Sequence, residues 1–294
     1  MREKTEELTV CVVGLGQIGG SFALALKEND EGQTIIGVDR KEVVRKLKRD
    51  KVVDEATDGL EKAVEKADFI FLSTPVLKIL ELLPRIAARM KPGAILLDSG
   101  STKKEISQLM QEFPDKILIG GHPMAGREKA GFEAALPTLF RKRIFALIFP
   151  TEKSLEGKSA VFKILEKIGA LPLEIEAEKH DRIVSLTSHL PYLISLSLSS
   201  LAEEFSSKDS LYLDFIASGF LGMTRLSLTQ EEMGLGILAT NSSALAEMVD
   251  EFVEKLKAIN SLVQKGGRQK IMNFISGRKS FLSGLMENKD ESVP

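Results

Sequence analysis

The run Gly14-Leu15-Gly16-Gln17-Ile18-Gly19 constrains this chain more than any other segment. It follows the apolar stretch Leu8–Val13, which reads as a buried strand, and opens the pattern Ile18–Lys27, which reads as a helix. A strand, a glycine turn and a helix in that order make a socket for a diphosphate. Gly14 permits the tight turn, Gly16 lets a pyrophosphate approach the backbone, and Gly19 lets helix and strand pack closely. Gln17 and Ile18 begin the helix, whose unpaired N–H groups and positive dipole end face the anion. Thr34–Val38 reads as a second strand and ends on Asp39. A carboxylate there accepts hydrogen bonds from an adenosine ribose and repels a 2′-phosphate, so the arrangement predicts NAD rather than NADP. Arg40 is placed to stack on adenine or to pair with a phosphate. The competing reading is a flavin or other nucleotide site, or a domain that has lost its ligand.

Three further apolar runs, Phe69–Ser73, Ala94–Leu97 and Ile117–Ile119, alternate with helical patterns at Val76–Met90 and Lys103–Phe113. Strands and helices alternating at this spacing predict parallel βαβ units. Ile144–Phe149 reads as another strand, Ser159–Ile168 as a helix and Leu171–Ile175 as an edge strand. The character changes near Ala177. His180–Leu201 reads as one long helix, and Leu245, Met248, Val249, Phe252, Leu256, Ile259 and Leu262 recur at helical spacing. The expected architecture is an α/β Rossmann-type N-terminal domain over residues 1–176, followed by an all-helical C-terminal domain over residues 177–294 for substrate binding and dimerisation.

Composition removes several function classes. Forty basic and 42 acidic residues leave a net charge of −2, without the basic excess of a nucleic-acid protein. One cysteine allows no internal disulfide and no cysteine-built zinc site, and the three histidines have no carboxylate partners at a metal-binding spacing. No apolar run reaches the ~18 residues of a membrane helix, and the charged start lacks a signal-peptide core. A cytoplasmic protein acting on a small molecule, without metal, membrane or nucleic acid, is expected.

In a doubly wound sheet the carboxyl ends of the strands line the ligand crevice, which places Ser73, Thr74 and Pro75 near the cofactor. Asp98-Ser99-Gly100-Ser101-Thr102-Lys103 follows the next strand. Thr102 and Glu105 fit a capping box, which leaves Ser101 to face the crevice. Gly120-Gly121-His122-Pro123 follows the strand after that, and an imidazole there can take a proton near neutral pH. A histidine that merely shapes the loop is the alternative. Glu128 reads equally as an entrance residue or a surface carboxylate. His180 and His189, nine residues apart on one helix, are expected on opposite faces. Arg225, in the small and apolar stretch Gly219–Arg225, wants an anion or an internal carboxylate.

Taken together, VVGLGQIGGSFALALK, IIGVDR, LLDSGSTK, GGHPMAGREKAG, the HDR and SHLP pieces and GFLGMTRLS resemble the prephenate and arogenate dehydrogenase family across residues 10–227. The resemblance implies oxidative decarboxylation of a cyclohexadiene bearing a 4-hydroxyl and a ring carboxylate. It implies that His122 accepts the hydroxyl proton, Ser101 supports that hydroxyl, Arg225 binds the ring carboxylate and Glu128 gates the pocket. It also implies a dimer through the helical domain. The family often reads SHLPH where this chain has Ser188-His189-Leu190-Pro191-Tyr192, so Tyr192, with His189 beside it, falls at the substrate's side-chain end. Gly222 stands where many members have aspartate, and Met233-Gly234-Leu235-Gly236 replaces a stretch that commonly carries tryptophan and aspartate. Neither a chorismate mutase nor a βαββαβ regulatory domain is expected after Lys265. Prephenate is the expected substrate. Arogenate, another NAD-dependent dehydrogenase reaction (with Lys179 as the candidate acid–base) and a non-catalytic NAD-binding dimer are the alternatives.

Overall fold

Alternate residues of the first strand enter two different cores. In the computed structural model, which describes residues 8–29, 32–50, 52–126 and 131–291, Val10 and Val12 of β1 (Leu8–Val13) pack on one side of a sheet. Cys11 and Val13 pack on the other. The same alternation separates Phe69 and Phe71 from Ile70 and Leu72 in β4 (Phe69–Leu72). Strands buried on both faces read as continuous apolar runs, which is why they are visible in the sequence.

The remaining strands are β2 (Gln33–Val38), β3 (Glu55–Thr57), β5 (Ile95–Asp98), β6 (Ile117–Pro123), β7 (Ile144–Ile148) and β8 (Leu171–Glu174). The sheet order is β3-β2-β1-β4-β5-β6-β7-β8. All pairs are parallel except β6 with β7, which run antiparallel. Helices α1 (Gln17–Asn29), α2 (Lys41–Asp50), α3 (Leu60–Lys66), α4 (Val76–Ala87), α5 (Lys104–Gln111), α6 (Glu152–Leu155) and α7 (Lys158–Lys167) fill the connections. Phe22 of α1 stacks on Phe71 at 3.9 Å between ring centroids and meets Phe140 edge-on.

After the sheet the chain is helical, with α8 (Ala177–Val184), a π-helical turn at Ser185–His189, α9 (Leu190–Lys208), α10 (Leu211–Asp214), α11 (Ser218–Thr224), α12 (Glu231–Thr240), α13 (Ser242–Lys265) and α14 (Gly267–Glu291). An α/β domain of Rossmann type followed by an all-helical part is therefore the architecture. The chain packs as two compact units, Met1–Ser242 and Ser243–Pro294. Among the described residues no helix is long and apolar enough to cross a membrane.

Four local expectations are corrected. The sheet is mixed, because the chain returns through β7. The expected single helix from His180 is interrupted by the π turn. Thr102 does not cap α5: the cap position is Lys103, whose side chain makes no capping bond, and Thr102 Oγ1 instead meets Thr240 Oγ1 at 2.6 Å. His122 lies within a strand, not after one, since β6 runs through Gly120 and Gly121 to Pro123.

Gly14 (φ 86°) sits in the left-handed region, where a Cβ is strained. Gly19 is tighter still, because a Cβ there would run into the carbonyl oxygen of Gly14. Gly19→Ala is therefore expected to lower the melting temperature sharply even without any ligand. An unchanged thermal transition would contradict this close approach of helix and turn.

Candidate active site

The reversal in strand order between β1 and β4 opens a crevice at their carboxyl ends. Gly14 N–H donates to Val38 O at 2.9 Å, closing the turn over β2. The Asp39 carboxylate accepts from Leu15 N–H and from its neighbour Arg40 N–H, each at 2.7 Å. Asp39 thereby fixes the glycine loop, while each oxygen keeps a further lone pair. Arg40 is exposed. Across the crevice, Ser99 Oγ donates to Ser73 Oγ at 3.0 Å. Thr74 Oγ1 is buried with no hydrogen-bond partner among the described residues. Pro75 precedes α4 as its cap residue. A Cβ at Gly16 would meet nothing within 4 Å, so the space above the loop is open where a diphosphate needs it. The open loop and the orphaned Thr74 hydroxyl both suit a dinucleotide.

The second half of the site is built on a buried ion pair. Asp98 ends β5, and Lys103 lies five residues on, both with side chains fully buried. Lys103 Nζ donates to Asp98 Oδ1 and, at 2.6 Å, to Gly121 O. Asp98 also accepts from Gly100 N–H at 2.6 Å and Gly121 N–H at 3.1 Å. Burial pushes the Asp98 carboxyl up and the Lys103 ammonium down, and their mutual attraction opposes both shifts. This cluster fixes Gly121, the residue before His122.

His122 is partly buried, paired with Ala146 of β7 in the sheet register. Its Nδ1 lies 2.9 Å from His180 Nε2, and His180 Nδ1 lies 2.7 Å from Asp181 Oδ1. Asp181 accepts as well from Lys103 N–H at 2.8 Å and Lys104 N–H at 2.9 Å, so a carboxylate 77 residues further along the chain caps α5. Burial, then the neighbouring His180, Lys103 and His189, pushes His122 well below the ordinary histidine range. The imidazole is neutral at pH 7 and able to accept a proton.

His189 joins the same cluster. Asn241 Nδ2 donates to Asp181 O at 2.9 Å and meets His189 Nδ1 at 3.0 Å. His180 and His189 are therefore not on opposite faces. At about 100° per residue, nine residues would leave them half a turn apart, but the π turn takes up one extra residue and leaves about 80°. His180 and Asp181 are the contributors that sequence reasoning missed, and the HDR piece was their only sign.

The other expected residues lie on separate elements. Ser101 is partly buried in the loop between Asp98 and α5. Tyr192, on α9, is partly buried with its hydroxyl against Gly234 of α12, where a Cβ would stand 3.0 Å from Tyr192 Cζ. Arg225 is exposed at the end of α11, and Ser227 just beyond it ties this turn to α9 through Ser195 Oγ at 2.9 Å. Glu128 lies outside the described residues. Among those described, no group of three histidine, cysteine or acidic side chains is placed to hold a metal.

A dinucleotide socket beside a histidine of lowered proton affinity is the layout of a dehydrogenase. Two family models match the chain, the nucleotide-binding domain of prephenate dehydrogenase over residues 22–172 and its dimerization domain over residues 176–276. The prephenate dehydrogenase of Lactococcus lactis is 31% identical over 284 residues, which are 95% of this chain and 78% of that protein. The crystal structure of prephenate dehydrogenase from A. aeolicus in complex with hydroxyphenyl propionate and NAD+ superimposes with a TM-score of 0.90. It is 25% identical, over 96% of this chain and 100% of that one. Synechocystis arogenate dehydrogenase gives a TM-score of 0.79 at 28% identity, over 95% of this chain and 100% of that one. The chain belongs to the prephenate dehydrogenase family.

The histidine cluster makes folding sensitive to acid. Burial holds His189 down to about 4, against the opposing pull of Asp181 and with a smaller push from His180. The unfolded chain takes up this proton near pH ~6.5, the folded chain only near 4. Stability from this group is complete above the upper value and is lost as pH falls through the window, by up to about 3 kcal/mol. Urea unfolding at the two ends of the window should show a steeper loss for the natural chain than for His189→Asn. Equal slopes would remove His189 as the cause.

Proposed function

We propose that the chain catalyses the NAD-dependent oxidative decarboxylation of prephenate to 4-hydroxyphenylpyruvate, a step of tyrosine biosynthesis. The observation that carries this reading is His122. It is a neutral imidazole on β6, set into a bonded cluster at the carboxyl side of the sheet, in a chain of this family. When bound, NAD would supply the hydride acceptor; Gly14, Gly16, Gln17, Ile18 and Gly19 would hold its diphosphate and Asp39 its adenosine ribose, Arg40 would stack on adenine or pair with a phosphate, and Ser73, Thr74 and Pro75 would line the crevice. Asp39 favours NAD over NADP by charge.

The chain's own residues then orient the substrate and move one proton. His122 takes the proton of the 4-hydroxyl as the carbon beneath it is oxidised. Ser101, which makes no hydrogen bond to the described residues, has its hydroxyl available to hold that oxygen. Arg225 pairs with the ring carboxylate, which leaves as carbon dioxide, and the electron pair of the broken bond completes the aromatic ring. Tyr192 meets the side-chain end, with His189 behind it. Placement contributes more to such a reaction than base strength.

The roles divide at residue 176, with 1–176 binding dinucleotide and 177–294 supplying substrate contacts and the dimer. The last strand ends at Glu174 and α8 begins at Ala177. A homodimer is supported by the apolar side chains that α13 and α14 leave exposed, among them Leu256, Val263, Ile275, Leu282 and Met286, and by the name of the second matching family model. Arogenate is the second reading. The phenol of Tyr192 donates to a keto acid and accepts from an ammonium, so it tolerates either side chain.

NADH formation from prephenate and from arogenate, each with NAD and NADP, tests the reading. Turnover of neither substrate would overturn it. His122→Asn should lower kcat by about 10²–10⁴-fold and leave NAD affinity unchanged, whereas retention of full kcat would displace His122 as the base. Light scattering at micromolar concentration should return twice the 32.3 kDa chain mass. A monomeric mass would remove the dimer.

A further inference from the structure

A contact between two imidazole nitrogens needs a proton on one and a lone pair on the other. The 2.9 Å approach of His122 Nδ1 to His180 Nε2 therefore has a direction. The direction is set at the far end of the chain of contacts. Asp181 Oδ1 and Oδ2 already accept from the backbone N–H groups of Lys103 and Lys104, and Oδ1 also faces His180 Nδ1 at 2.7 Å. A carboxylate taking two N–H donors is an acceptor to the third partner too, so His180 carries its proton on Nδ1. Its Nε2 is then a lone pair, and the matching proton lies on His122 Nδ1. The lone pair of His122 is left on Nε2.

We propose that His180 and Asp181 are positioning residues that hold His122 in the Nδ1–H tautomer and present Nε2 as its basic atom. The assignment of His122 as base rests on the reading given above; the tautomer does not. A solvated imidazole would exchange between its two forms, and among the described residues the ring of half-buried His122 has one partner, His180, to choose for it. When Nε2 accepts a proton, His122 becomes an imidazolium whose Nδ1–H still points through His180 toward Asp181. The carboxylate thus stabilises the charge that burial opposes, without itself taking the proton.

The same carboxylate does a second thing. By capping α5 it anchors the loop that carries Ser101 to the residue that orients His122. Asn241 secures Asp181 from behind through the Asp181 carbonyl. The two groups assigned to the substrate hydroxyl are therefore referenced to one side chain from a different part of the sequence.

The test uses the full chain labelled with ¹⁵N-histidine, whose three imidazoles are few enough to assign with single His→Gln variants. Long-range ¹H–¹⁵N spectra at neutral pH should show His122 protonated at Nδ1 and bare at Nε2. In His180→Gln, His122 should shift toward the Nε2–H form and kcat should fall by about 10- to 10²-fold, less than the loss for the base itself. NAD affinity should stay unchanged. Asp181→Asn, which keeps an oxygen for the α5 cap, is the second variant and should act in the same direction. A natural-chain spectrum with His122 protonated at Nε2 would overturn the proposal, as would variants whose His122 tautomer does not move. Should neither prephenate nor arogenate be turned over, the reading of function fails while the spectra still decide the tautomer.

Discussion

The ion pair of Asp98 and Lys103 is the interaction on which the site depends. Both side chains are fully buried, so each charge has given up its hydration. Such a pair survives only where every remaining donor and acceptor is satisfied. Here the carboxylate also takes the N–H groups of Gly100 and Gly121, and the ammonium also reaches the Gly121 carbonyl. Loss of either partner would strand the other, at a cost of about 3–5 kcal/mol. The backbone pinned in this way is the end of β5 and the middle of β6, which hold Ser101 and His122. Buried charge therefore sets the separation between two strand ends that a purely apolar core would leave looser.

Asp181 repeats this device one layer out. An apolar side chain could fill its place, but it could not cap α5 and orient an imidazole at once. The consequence is that the Rossmann-type sheet and helices α8 and α12 meet through directed bonds. Thr102 with Thr240 adds another such contact. Polar groups buried between elements must pair, so they fix orientation where hydrophobic contact alone permits sliding.

The parts legible in the sequence were those governed by local rules. Seven of the eight strands are read from the sequence, and the glycine loop gives its turn, its helix and its acid in order. β3 is a three-residue strand with one buried residue, too short to carry a pattern. The antiparallel return through β7 was hidden because a buried strand looks the same in either direction. The capping box at Thr102 was a sound local inference, overridden by a carboxylate that no window around residue 102 contains. The histidines of the helical half were misplaced by one residue of phase: regular 3.6-residue geometry holds up to Val184 and fails through Ser185–His189. Whatever depends on the meeting of distant segments was out of reach of spacing arguments, and most of the polar machinery is of that kind.

Tyr192 and Gly234 illustrate a different kind of dependence. The tyrosine hydroxyl occupies the space in which any side chain at 234 would begin. The two positions are consequently coupled. A side chain at 234 can enter only as the Tyr192 ring shifts or is shortened, and a tyrosine at 192 keeps its present place only while 234 stays bare. Either position therefore limits what a single exchange at the other can do.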